Sequence, residues 1–128
     1  MLDDATKKLA QGATIASVTT LLPDGTPMTH PLWIDADDEC LVFNTETGRQ
    51  KYRNVTRDPR VTVMMWDPAN SYSYVEVRGE VAETVTGDEA RAHIDALSRK
   101  YTGHDYANPI GTERVIVKVR PTRENVRV

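Results

Sequence analysis

Alternation of apolar and polar residues with a period of two is plainest over residues 72–85 and 114–120, and other stretches carry strand composition or a helical period. The segment ATIASVTTLL, residues 13–22, is rich in β-branched residues and reads as a strand. Pro23-Asp24-Gly25-Thr26 is a turn, with Pro at the second position and Gly free to take positive φ. The chain returns through PMTHPLWIDA, residues 27–36, as a second strand. Pro27 is harmless at its start, while Pro31 assigns the strand to an edge or a bulge. Asp37-Asp38-Glu39 turns again and Cys40–Thr45 is a third strand, so residues 13–45 are expected to form a three-stranded antiparallel meander. Residues 60–67 are a fourth strand and Asp67–Asn70 a loop. Tyr72–Val85 then alternates Tyr74, Glu76, Arg78 and Glu80 with Val75, Val77, Gly79 and Val81, and Gly79 marks a bulge or bend. Arg114–Arg120 alternates Val115, Val117 and Val119; Pro121 is expected to break it, with Asn125–Val128 as a last short strand.

Three stretches carry helix signals. Asp3 or Asp4 can cap a short helix to about Ala10, ended by Gly12, with Leu2 and Leu9 as its buried points. Thr47 with Gln50 three residues on reads as a capping box opening a helix to about Arg57, with Tyr52 and Val55 facing inward and Asp58-Pro59 stopping it. Thr86-Gly87-Asp88-Glu89 opens a third helix to about Lys100, with Ala90, Ile94, Leu97 and Tyr101 as its apolar stripe. Residues 102–112 are a loop. Six or seven antiparallel strands with two or three helices, and no internal repeat or linker, define one mostly-β (α+β) domain over residues 1–128, expected as a partly open barrel.

A net charge of −3, from 16 Lys plus Arg against 19 Asp plus Glu, argues against a general nucleic-acid binder and leaves room for a local anion site. The single cysteine, Cys40, excludes an internal disulfide and a cysteine metal cluster; it reads as a small buried apolar residue. MLDDATKKLAQG is polar, so neither a signal peptide nor a membrane span is expected and the cytoplasm is the expected compartment.

One stretch departs from the acidic balance. GRQKYRN, residues 48–54, places Arg49, Lys51 and Arg53 within five residues at a helix start. Charge clusters are usually solvated faces, but cations here oppose the helix dipole, and free N–H groups beside Arg and Lys make a phosphate site. Arg offers a planar fork to phosphate oxygens and Lys a point charge. Thr45 and Thr47 add hydroxyl donors just before. The segment is not a Walker loop and has no Gly-x-Gly-x-x-Gly.

The opening ATIASVTTLLPDGTPMTHPLW, the stretch LVFNTETGRQKYRNVTRDPRVTVMMWDP and the strand SYSYVEVRGEVAE together resemble the flavin/deazaflavin oxidoreductases of the pyridoxamine 5′-phosphate oxidase-like split-barrel superfamily. The likeness covers almost the whole chain. It is closest to the short branch that uses the deazaflavin coenzyme F420, common in actinobacteria. The resemblance implies an FMN-binding-like split β-barrel and a homodimer with a cofactor in each interface groove. It implies that Arg49 and Lys51, with Gln50 beside them, hold the cofactor phosphate, and in the F420 branch the start of its polyglutamate tail. Asn44 and Thr45 would line the ribityl-phosphate path, and His30, Pro31, Leu32 and Trp33 would run beside the ring. Asn54 would hold the helix rather than touch ligand. True pyridoxamine phosphate oxidases end in an Arg-x-His pattern that VIVKVRPTRENVRV lacks, so that activity is not expected.

The cofactor would carry the chemistry, a hydride transfer with a small organic substrate, and no acid–base pair is evident in the sequence. His30 is a weak candidate for proton delivery; its plain reading is a strand histidine bound to a backbone carbonyl. His93 reads as solvated and His104 as a loop residue. Trp33 could wall the ring, though core or interface packing serves as well; Trp66 reads as core or interface. The carboxylates Asp35, Asp37, Asp38 and Glu39 fit no calcium-loop spacing, and no metal is expected. Three readings stand: an F420-dependent oxidoreductase, an FMN-dependent enzyme on the same barrel, and a cofactor carrier without turnover.

Overall fold

The structure, a computed structural model, describes residues 1–128. Its elements are α1 (Asp4–Gln11), β1 (Ile15–Leu21), β2 (Pro27–Trp33), β3 (Asp35–Ala36), β4 (Leu41–Glu46), α2 (Gln50–Arg57), β5 (Arg60–Asp67), β6 (Asn70–Val85), α3 (Asp88–Thr102) and β7 (Arg114–Arg127). The seven strands pair antiparallel in one sheet, in the order β2-β1-β5-β6-β7-β4-β3. The sheet curls into a half-barrel, the split-barrel architecture.

Alternation sets what faces inward. Ala16 and Val18 of β1, Leu41 and Phe43 of β4, Val61, Val63 and Met65 of β5, Val75 and Val77 of β6, and Val117 and Val119 of β7 form one buried cluster. Leu2 just before α1, Ala10 of α1 and Val55 of α2 join it. On the opposite face of β4 and β7, Val42 and Ile116 form a second cluster with Cys40 and with Ala90 of α3. Helix α3 therefore covers the outside of β4 and β7, while α1 and α2 pack toward the interior.

Several boundaries differ from the sequence reading. The meander over 13–45 does not form: β1 pairs with β2, but β4 pairs with β7 and lies at the other end of the sheet. The cause is long-range pairing, since β7 offers β4 a six-residue ladder from Leu41↔Val119 to Glu46↔Arg114. The predicted 27–36 strand divides into β2 and β3. Pro121 does not break β7, because it pairs with Gly79 where β6 itself shifts register. Gly79 is the expected bulge, and it must be Gly: a Cβ there would sit 2.3 Å from the Arg120 carbonyl oxygen. Neither threonine caps its helix. The N-cap of α2 is Arg49 and that of α3 is Gly87 at φ 81°, and neither helix start receives a side-chain hydrogen bond. The Asp67–Asn70 loop is a tight hairpin turn, with Asp67 paired to Asn70.

Candidate cofactor-phosphate site

Strand β4 leads straight into α2, and its last residues are buried although polar: Asn44, Thr45 and Glu46 are 8%, 4% and 4% exposed. A polar group with so little water must be paired inside the protein. Glu46 is the hub. Its Oε1 accepts from the backbone N–H groups of Gly111 (3.0 Å) and Thr112 (2.7 Å) and from the Thr112 hydroxyl (3.1 Å). Its Oε2 faces the guanidinium groups of Arg49 (3.3 Å) and Arg114 (3.4 Å). These donors, the Thr112 N–H foremost, hold the Glu46 carboxyl below the ordinary carboxylate range.

Arg114 opens β7 directly opposite Glu46 in the ladder, is itself buried, and lies with its guanidinium carbon 5.1 Å from the Tyr106 ring centroid. Its Nε donates to Asn44 Oδ1 at 2.8 Å. The Asn44 amide nitrogen in turn contacts the Ala90 carbonyl and His93 Nδ1, both at 3.0 Å. His93 is therefore not solvated as its helix position implied. It is half-buried between α3 and β4, and burial pushes its pKa down.

Gly48 closes the junction. Its N–H donates to the Thr112 hydroxyl at 3.0 Å, and a Cβ would meet Thr112 Cγ2 at 2.8 Å, so the 102–112 loop and the start of α2 touch through a glycine. Arg53 reaches back to the Gly48 carbonyl (2.7 Å) and to Gln50 Oε1 (2.8 Å). Gln50 donates to Asn54 Oδ1 at 2.8 Å, and the fully buried Asn54 donates to the Thr20 hydroxyl of β1 at 3.0 Å. Asn54 thus holds α2 against β1, and Gln50 is committed to that brace.

Lys51 differs from its neighbours. The carboxylate at this junction is Glu46, and Arg49 and Arg114 are its charged partners. Lys51 is half-buried, and burial followed by repulsion from Arg49 and Arg114 lowers the pKa of its ammonium. The two charges that push it down are both positive. It stands in the first turn of α2, where backbone N–H groups have neither intrahelical acceptors nor a side-chain cap. An anion placed here would meet Lys51, Arg49 and those N–H groups together, which is the chemistry of a phosphate cradle.

The remaining sequence candidates are spread more widely. Asn44 and Thr45 lie on opposite faces of β4, Asn44 under α3 and Thr45 on the side of Leu41 and Phe43. On the edge strand β2, Leu32 and His30 share the face of Ala16 and Val18, and Pro31 and Trp33 the other. His30 and Pro31 are exposed and Leu32 half-buried. Trp33 stacks on Tyr101 of α3 with centroids 5.3 Å apart and meets Tyr106 edge-on at 6.3 Å. Tyr106 thus joins the aromatic cluster to Arg114 and the Glu46 hub. Glu46 and Arg114 were absent from the sequence-derived candidates. Their signal was a charged residue ending one apolar run, LVFNTE, and another beginning the next, RVIVKV.

The fold is a split barrel, and its candidate site is an uncapped helix start carrying Arg49 and Lys51 at the end of β4. Residues 2–127 match the family model described as pyridoxamine 5′-phosphate oxidase, and the chain belongs to that family. Among solved structures it is similar to one named F420 Reductase, at 35% identity and TM-score 0.84, covering 97% of this chain and 98% of that one. It is also similar to the conserved hypothetical protein Rv2991 from Mycobacterium tuberculosis, at 25% identity and TM-score 0.72, over 97% and 83% of the two chains. General Stress Protein 26 from Bacillus anthracis shares the fold at 18% identity and TM-score 0.71, over 94% and 89%. No curated protein matches the chain. No helix is long and apolar enough to cross a membrane.

Proposed function

We propose that this protein is an oxidoreductase that binds coenzyme F420 and transfers hydride from the reduced cofactor to a small organic substrate. The observation that carries the reading is Lys51, a half-buried ammonium whose charged neighbours are both arginines, in the uncapped first turn of α2. A phosphate would satisfy what the protein leaves open there. The choice of F420 rests on the 35% identity to a structure of that name over nearly the full length of both chains.

The cofactor supplies the hydride transfer. The chain's residues bind and orient it: Lys51 and Arg49 take phosphate charge, Glu46 pairs with Arg49 at the end of β4, and Asn54 braces α2. Residues of β2, from His30 to Trp33, would border the ring. No side chain is assigned a proton transfer. We further propose a cytoplasmic homodimer, with the groove completed by the second copy. Exposed Ile15 (41%) and Tyr72 (87%) on β1 and β6 support a further partner surface.

FMN shares the ribityl phosphate, so the cradle would serve it too; the same protein that holds cofactor without turning over is the carrier reading. The test is cofactor binding by Lys51→Ala and Arg49→Ala. Loss of one charge-assisted contact weakens F420 binding by about 10- to 150-fold, with Lys51→Ala the larger. Wild-type affinity in both variants would remove the site assignment.

A further inference from the structure

The amide of Asn44 is locked in one orientation by two neighbours of fixed polarity. Arg114 Nε can only donate, so the atom 2.8 Å from it is the Asn44 oxygen. The Ala90 carbonyl can only accept, so the atom 3.0 Å from it is the Asn44 nitrogen. That nitrogen also stands 3.0 Å from His93 Nδ1. An amide nitrogen offers hydrogens only, so His93 Nδ1 must be the unprotonated acceptor and the proton sits on Nε2. A second proton on the ring would set N–H against N–H.

The contacts continue without a gap: His93 to Asn44, Asn44 to Arg114, Arg114 to Glu46, Glu46 to Arg49. The last member is one of the two cations of the proposed phosphate cradle. We propose that His93 is a proton-sensitive positioning residue. Its neutral ring keeps Asn44 turned toward Arg114, and its protonation loosens Arg114 and Glu46 and so lowers the affinity of the Arg49–Lys51 site for anions. The proposal deepens the reading of that site as a phosphate cradle and rests on it.

The surroundings set the direction. Asp35 and Asp37 around β3, Glu89, Lys100 and His93 itself on α3, and Arg114 and Lys118 of β7 face the same region. Asp35 favours the charged ring, whereas burial, Lys100, Lys118 and Arg114 oppose it, and burial is the largest influence. The ring is thus neutral at pH 7, and the change falls below the ordinary imidazole value of 6.5. As pH drops through the folded-state value, the native arrangement is lost rather than gained.

The test uses sulfate, which stays doubly charged between pH 5 and 8, titrated into the full chain and followed by the backbone amide resonance of Lys51. Wild type is compared with His93→Gln, which does not titrate and can present an amide oxygen to Asn44. The expected result is a wild-type sulfate affinity about fivefold lower at pH 5.0 than at pH 7.5 beyond any change in the variant, the effect of one hydrogen bond. In ligand-free wild type the Arg114 Nε–H resonance should move with the His93 titration, and in His93→Gln it should stay still. An Arg114 resonance indifferent to His93 overturns the proposal, as does the same pH dependence of sulfate binding in both proteins, or no sulfate effect at Lys51 at any pH. Titration with F420 and FMN at pH 7.5 judges the cofactor reading separately. Coupling between His93, Arg114 and sulfate can hold even if neither cofactor binds.

Discussion

Replacing Lys51 by Met should move stability and binding in opposite directions. In the ligand-free protein the Lys51 ammonium is half-buried, and its charged neighbours Arg49 and Arg114 repel it. Its lowered pKa means that the charged form is disfavoured by folding, a penalty present in full at neutral pH. Methionine keeps most of the stem and removes the charge. Such site-relieving substitutions commonly stabilise by about 0.5–2 kcal/mol, which for a chain of this length raises Tm by roughly 2–10 °C. With ligand the sign reverses, because one charge-assisted phosphate contact of about 1.5–3 kcal/mol is lost. The assay pairs thermal melting by circular dichroism without ligand and F420 titration by fluorescence, both at low salt. A variant that melts lower than wild type, or that binds F420 equally well, refutes the reasoning that Lys51 is held open for an anion.

Three further outcomes follow from the same geometry. Arg114→Leu leaves the buried Glu46 carboxylate and the Asn44 oxygen without their partner; the remaining donors to Glu46 keep the loss near the low end for a broken buried pair, about 3 kcal/mol by chemical denaturation. Gly79→Ala places a methyl 2.3 Å from the Arg120 carbonyl oxygen, and a destabilisation of about 1–3 kcal/mol is expected; an unchanged denaturation midpoint would show that β6 and β7 separate freely at the bulge. Asp58 is held at about 2 by its hydrogen bonds with Arg60, so its contribution is complete above 3.8 and lost as pH falls toward 2. The stability difference between wild type and Asp58→Asn should therefore shrink across that window, and a difference constant with pH contradicts the pairing.

Strands β1, β5 and β6 were legible because each carries its own alternation, and the three helices because each carries a short apolar stripe. Pairing was not. β4 has no local mark that sends it to β7, 68 residues on from Glu46 to Arg114, instead of to β2. Pro121 looked like a terminator because its missing N–H is a local property, whereas its partner at the Gly79 bulge is a distant one. The cationic start of α2 was readable in GRQKYRN since its cations are close in sequence. Glu46, Arg114 and His93 were not, because each is brought beside it only by contacts across elements. His93 shows the limit well: a polar residue on a helix reads as solvated until the strand beneath it supplies an amide.

Parallel fluorescence titration of purified, cofactor-free protein with F420 and with FMN tests the central claim most directly. The account predicts micromolar or tighter F420 binding and weaker FMN binding, with Lys51→Ala losing the F420 affinity. Tighter binding of FMN would move the protein to the flavin branch of the family, and binding of neither would contradict the proposed function while leaving the split barrel as it is.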